Sequence, residues 1–144
     1  AGLKWPNDLL INKKKICGIL IESEINEDNV EFIVGIGINY SLPKKESWWG
    51  EIGELADILP REKLINYILK SIIYFIENGY ENWKDEWEKR CIHMGIELEA
   101  ISNNQKDTEI GIFKGINEEG KMILQTRNEL KIISSGECSI KGIY

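Results

Sequence analysis

The chain has 144 residues, 42% of them hydrophobic and 29% charged, and a formal net charge of −6. That composition suits a globular protein with a buried core, arranged as one medium domain or two small ones, and its acidic balance argues against a nucleic-acid binder held by a general basic surface. Cys17, Cys91 and Cys138 are odd in number and widely spaced, which fits neither a disulfide framework nor a zinc ribbon.

No apolar run approaches the roughly 20 residues that span a bilayer, and no helix-turn-helix pattern is visible, so neither a membrane nor a DNA-binding domain is expected in this chain. A soluble protein of the reducing cytoplasm is the expectation. Ala1 is not a methionine and the most site-like stretch begins three residues later, so further chain upstream is expected.

That stretch is Lys4-Trp5-Pro6-Asn7-Asp8. Pro6 fixes its own φ and biases Trp5 toward an extended conformation, so Lys4 and the Asn7-Asp8 pair emerge from a stiff bend. Leu9 to Ile11 and Ile16 to Glu22 read as two strands joined by the basic turn 12–15. Residues 23–29 read as a polar hairpin loop, and Val30 to Asn39 as a third strand in which Gly35 and Gly37 leave one face without side chains. Residues 41–50 read as loop, with Trp48 and Trp49 exposed, and residues 51–57 as one short helix. Pro60 then opens a helix whose Leu64, Ile65, Ile68, Ile72, Phe75 and Ile76 recur at helical spacing until Asn78-Gly79. A second helix over 80–90, carrying Trp83 and Trp87 one turn apart as core residues, is expected to pack beside it.

From Gly95 the pattern becomes short strands: 96–101, 109–116, 121–126, 130–133 and one near 139–144, with Asn117-Glu118-Glu119-Gly120 as a turn. Five short strands without a helix suggest a small barrel. The expected division is 1–94 and 95–144.

The hairpin brings Lys4, Asn7, Asp8 and Lys15 toward the same end of adjacent strands. Two ammonium groups and an amide near one carboxylate suit an anionic ligand such as a nucleotide phosphate; one lysine at 4 Å contributes about 4 kcal/mol at an effective dielectric near 20, before desolvation. Lys13 and Lys14 read as a solvated basic turn, and Lys15 is open between solvent and ligand. The Gly35-Ile36-Gly37-Ile38-Asn39 run lacks dinucleotide-fingerprint spacing. It suits a flat ring laid on bare backbone, with Asn39 either reading an adenine edge or serving as a structural end to the strand. His93 is the only histidine, so a metal centre or catalytic triad built on it is unsupported.

Taken together, Lys4 to Asp8, Lys15 to Glu22 and Gly35 to Asn39, in this order and spacing and followed by two helices and a small β domain, resemble biotin protein ligase. The tail segment 136–141 resembles the family's closing strand, with Lys141 where an arginine is usual. The resemblance implies an α+β fold: part of a class II synthetase-like mixed sheet with flanking helices, then a small SH3-like β barrel. It implies activation of biotin with MgATP to biotinyl-5'-AMP and transfer to a lysine of the biotin carboxyl carrier domain of a carboxylase. Lys4, Asp8 and Lys15 would then be catalytic. Lys15, Gly18 and Gly35 would contact biotin, and Lys4, Asn7, Asp8, Ile19, Ile36, Gly37, Ile38, Asn39 and Lys141 would contact ATP, with Asp8 reaching Mg. The family's upstream arginine-glycine loop has no counterpart in these residues, which implies an N-terminal companion segment; a homodimer is a further implied assembly. A non-catalytic adenine-ligand or partner-binding module and a lipoate ligase are the competing readings.

Overall fold

The computed structural model describes residues 1–26, 29–43, 46–47, 49–54, 59–102, 107–135 and 138–141. The first 38 residues form four strands: β1 (Gly2–Lys4), β2 (Asp8–Ile11), β3 (Lys14–Asn26) and β4 (Asn29–Ile38). They pair in the order β1-β2-β3-β4, every neighbour antiparallel. The expected mixed sheet is therefore not formed within the described residues. Consecutive strands joined by tight turns can only pair antiparallel, since a parallel neighbour requires a long crossover; parallel contact is limited to the isolated bridges Leu3↔Cys91 and Lys15↔Trp49. The turn between β2 and β3 places Asn12 and Lys13 at φ 51° and 65°, the positive values that let a two-residue hairpin follow strand twist.

The expected polar loop at 23–29 is mostly strand. Ser23 pairs with Phe32, Ile25 with Val30 and Asn26 with Asn29, which reduces the loop to residues 27–28, outside those described. Cross-strand pairing outweighs local polarity here, because partners facing Ser23 and Ile25 already carry β-forming side chains. The short helix expected at 51–57 appears as a single 3-10 turn, Ile52–Glu54, with 55–58 outside the described residues, as is Trp48. Trp49 is half-buried rather than exposed.

Helix α1 (Arg61–Asn78) starts after Pro60 and stops at Gly79, whose φ of 71° suits glycine. Helix α2 (Trp83–Arg90) starts three residues later than expected, after a turn at Tyr80. The packing expected between the two is not seen, since α1 has no buried residue. Its Ile65, Leu69, Ile73, Phe75 and Ile76 face solvent, as do both faces of the outer β3–β4 ribbon, with Ile21, Phe32 and Val34 exposed on one and Leu20 and Ile33 on the other. A helical stripe and a two-stranded ribbon of this kind are unstable unless covered.

The C-terminal strands β5 (Glu97–Ser102), β6 (Thr108–Ile116), β7 (Met122–Gln125), β8 (Leu130–Ile133) and β9 (Cys138–Lys141) form a separate antiparallel sheet in the order β8-β7-β6-β5-β9. Its inward positions, Leu98, Ala100, Phe113, Ile116, Met122 and Leu124, make the main core, against which Trp83 and Trp87 pack from α2. Cys91 and, from the bend after β1, Trp5 complete that core. Trp5 is 2% exposed and its Nε1–H donates to the Gly120 carbonyl at 3.0 Å.

Candidate functional site

The bend after β1 is held from two sides. Trp5 anchors it in the C-terminal core, and Asn7 ties it to β3: the Asn7 Nδ2–H donates to the Ile19 carbonyl at 2.5 Å, while the Ile19 N–H donates to the Asn7 carbonyl at 3.0 Å. The Asn7 amide is thus engaged by backbone as well as placed beside Asp8.

The β2–β3 pairing contains a bulge. Leu9 faces Cys17 and Leu10 faces Lys15, so Ile16 is the extra residue. Strict alternation would put Lys15 on the face opposite Gly18, and the bulge turns it onto the same face as Asp8 and Gly18. There Lys15 Nζ lies 2.6 Å from Asp8 Oδ1. A Cβ added at Gly18 would lie 3.2 Å from Lys15 Nζ and 3.5 Å from Asp8 Oδ1, so the ion pair rests directly on bare backbone. Gly37 is the cross-strand partner of Gly18, and Gly35 that of Leu20. A Cβ at Gly35 or Gly37 would meet only ordinary contacts, the nearest being the Leu20 carbonyl at 3.7 Å and the Gly18 carbonyl at 3.8 Å. Crowding inside the protein therefore does not demand these glycines. What they provide is a side-chain-free floor beside an ammonium and a carboxylate.

Lys4 is buried and pairs in register with Asp8. Of the residues singled out from sequence, Lys4, Asp8, Lys15, Gly18, Gly35 and Gly37 share one face by register. Ile19, Ile36 and Ile38 point to the other, because Ile19 pairs with Ile36 and Cys17 with Ile38. That second face borders a cleft of about 620 Å³ lined by Leu3, Leu9, Ile19, Ile21, Trp87 and Gly120, with the Lys4–Asp8 bend at its rim. Asn39 follows β4, with its amide Nδ2 turned toward the Lys15 and Gly50 carbonyls. Lys141 lies in β9 of the other sheet, paired with Glu99. The single face that gathers the ion pair and glycines is thus narrower than the set of residues read from sequence. Among the described residues no group of three or more His, Cys, Asp or Glu stands ready for a metal.

Sequence reasoning weighed His93 only as a metal ligand or triad member and did not foresee its burial. It is fully buried behind the bend, its ring 5.4 Å from that of Phe113, and neither ring nitrogen has a normal hydrogen-bond partner. Burial, and then the nearby charge of Lys4, pushes its pKa down to about 4, the Trp5 backbone opposing only weakly. Nearby Cys91 is pushed up to about 11 by burial, so its thiol stays protonated. Because the folded His93 binds a proton less readily than the unfolded one, stability is full above about pH 6.5 and declines as pH falls toward about 4, by up to about 3 kcal/mol. Urea unfolding across that range should show the loss, and His93→Phe should remove it. An equal slope in the variant would assign the effect to carboxylates instead.

Comparison with known proteins agrees with this architecture. Residues 1–39 match the Biotin/lipoate A/B protein ligase family and residues 99–141 the Biotin protein ligase C terminal domain. The bifunctional ligase/repressor BirA of Bacillus subtilis strain 168 is 32% identical over 153 residues, covering 97% of this chain and 46% of that protein. The biotin--[acetyl-CoA-carboxylase] ligase of Paracoccus denitrificans is 26% identical, covering 98% of this chain and 63% of that protein. The solved structure of biotin protein ligase from Aquifex aeolicus in complex with biotin and ATP superposes with a TM-score of 0.76 at 28% identity, over 97% of this chain and 61% of that one. The chain spans about half the length of the bifunctional relatives. With both family matches in chain order and a shared fold across nearly all its residues, the chain is similar to biotin protein ligases in both of its sheets.

Proposed function

We propose that this chain supplies the nucleotide site and part of the biotin site of a cytoplasmic biotin protein ligase, which forms biotinyl-5'-AMP from biotin and MgATP and passes biotin to a lysine of a carboxyl carrier domain. The observation that carries this reading is the Lys15–Asp8 pair at 2.6 Å over the bare backbone of Gly18 and Gly37. Attack of the biotin carboxylate on the α-phosphorus brings two anions together. Cationic groups fixed beforehand stabilise that transition state more than the separated reactants. In this reading Lys15 meets the biotin carboxylate, Gly18 and Gly35 leave room for the ring, and Lys4 meets the α-phosphate. Asp8 holds the Lys15 ammonium in place, and Mg would arrive with the ATP phosphates and use Asp8 as its protein carboxylate.

The division into 1–94, part of a class II synthetase-like catalytic domain, and 95–144, an SH3-like barrel, belongs to the same proposal. The match of residues 99–141 to a biotin ligase C-terminal domain favours biotin over lipoate as the acyl group. A purely adenine-binding module is disfavoured, because the paired Lys15 and Asp8 offer an acid–base pair that a binding floor alone does not need.

The glycine floor is open and the β3–β4 ribbon and α1 are uncovered. An adenylate formed there would be exposed to hydrolysis. The purified 144-residue chain is therefore expected to show little or no biotin-dependent pyrophosphate exchange, and addition in trans of an upstream ligase segment carrying an arginine-glycine loop is expected to restore it. Robust biotinyl transfer to a carrier domain by the chain alone would overturn this division of the site.

A further inference from the structure

We infer that Asn117 is a positioning residue for the bend that carries Lys4 and Asp8: it fixes the Gly120 carbonyl to which the Trp5 indole is tied, and through Trp5 it sets where those two side chains stand. This rests on Lys4 and Asp8 being groups of the site proposed above. The Trp5 side chain is 2% exposed, and its Nε1–H, the only polar group of the indole, donates to the Gly120 carbonyl at 3.0 Å across 115 residues of sequence. A buried indole N–H without an acceptor carries the full cost of its lost hydration. The indole therefore goes where that carbonyl is.

The Gly120 carbonyl belongs to a rigid plane. It shares the Gly120–Lys121 peptide unit with the Lys121 N–H, and in a trans peptide the two point in opposite directions. The Lys121 N–H donates to Asn117 Oδ1 at 2.9 Å, so one plane is gripped at both ends, by the Asn117 side chain at its N–H and by the Trp5 indole at its carbonyl. The Glu119 N–H donates to the same Oδ1 at 3.0 Å; two N–H donors identify the atom they meet as the amide oxygen. The Gly120 N–H donates to the Asn117 carbonyl at 3.0 Å, which holds the preceding peptide unit as well. Gly120 itself sits at φ 74°, a value that glycine adopts without strain.

The turn is also seated against α2. Immediately before Asn117, the Ile116 N–H donates to Glu88 Oε1 at 3.0 Å, and a Cβ at Gly115 would collide with the same carboxylate. Helix α2 sends Trp83 and Trp87 against the core that holds Trp5. On the side of the site, Lys4 pairs in register with Asp8, and Asp8 Oδ1 holds Lys15 Nζ at 2.6 Å. Pro6 has a fixed φ, so a displacement of Trp5 is passed on to Asn7 and Asp8 and not absorbed between them. A turn of the C-terminal sheet thereby decides how the carboxylate of the other sheet is aimed.

The test uses the complete ligase, or this chain reconstituted with its upstream segment, isotope-labelled at the tryptophan nitrogens for NMR and assayed below the melting transition of every variant. Asn117→Ala is expected to move the Trp5 indole Nε1–H resonance and to speed its exchange with solvent. It should also lower the kcat of biotin-dependent pyrophosphate exchange on the order of tenfold, with the KM values for biotin and ATP changed less than about threefold. Trp5→Phe, which deletes that resonance and so assigns it, should give a similar loss. The double variant should be little worse than either single one, because both changes release one peptide plane. Asn117→Asp keeps an acceptor oxygen in the same place and should hold both resonance and rate near those of the parent, which separates lost positioning from a turn that fails to fold. An unmoved Trp5 resonance in Asn117→Ala, or losses that add in the double variant, would overturn the positioning role and leave the Lys15–Asp8 site standing. Unchanged adenylation in Lys15→Ala would instead overturn the site reading, and with it the role of Asn117 in catalysis.

Discussion

Lys15→Ala is expected to lower adenylate formation on the order of a hundredfold or more, whereas Lys14→Ala should leave it nearly unchanged, when both are measured by biotin-dependent pyrophosphate exchange in the complete ligase. The two lysines are adjacent in a basic turn, so composition and net charge cannot separate them. The bulge does. Lys14 pairs opposite Ile11 at the turn, while Lys15 is turned onto the face of Asp8 and Gly18. The ion pair itself is partly solvent-exposed, the Lys15 side chain at 31%, so it adds at most about 1 kcal/mol to folding. Thermal midpoints of both variants should therefore stay close to the parent, which separates a catalytic loss from an unfolded enzyme. Equal activity losses from the two substitutions would mean that the ligand approaches the hairpin from its other side.

Trp5→Ala should be the most destabilising single change in the chain, by about 3–5 kcal/mol. The indole is 2% exposed, belongs to the core of the C-terminal sheet, and donates its Nε1–H to the Gly120 carbonyl at 3.0 Å. For a protein of this size the corresponding fall in melting temperature is on the order of 10 °C. Trp5→Phe keeps most of the buried apolar surface and loses the hydrogen bond, so about 1 kcal/mol should go with it. Activity is expected to fall in step with stability, since Trp5 sits between Lys4 and the Asn7-Asp8 pair and holds the bend that presents them. A Trp5→Ala protein with an unchanged melting curve would remove Trp5 from the core and detach the bend from the C-terminal sheet.

Much of the chain was legible as a string of residues. The hairpin between Ile11 and Ile16, the helix between Pro60 and Gly79, the turn at 117–120 and the C-terminal strands all follow from signals that act within a few residues, although the hairpin turn is tighter than the expected 12–15 because Lys14 and Lys15 join β3. The blocks around Lys4, Lys15 and Gly35 likewise carried the family resemblance unaided. What local signals did not carry was where each face would end up. The helical stripe of α1 was expected to pack beside the second helix, yet it has no buried residue among those described, because periodicity encodes a face to be covered and not what covers it. Trp5 read as part of a bend, and only the distant Phe113, Leu124 and Gly120 make it a core residue. The Asn39 N–H groups go to the carbonyls of Lys15 and Gly50, partners that no local signal names. The side of the sheet on which Lys15 stands was the least readable of all, since a one-residue bulge inverts it and leaves no mark on composition or period. Sequence determined the elements and the residue types of the site; tertiary contacts between residues far apart in the chain decided which of them share a face, because register and burial are set by partners that local preferences do not see.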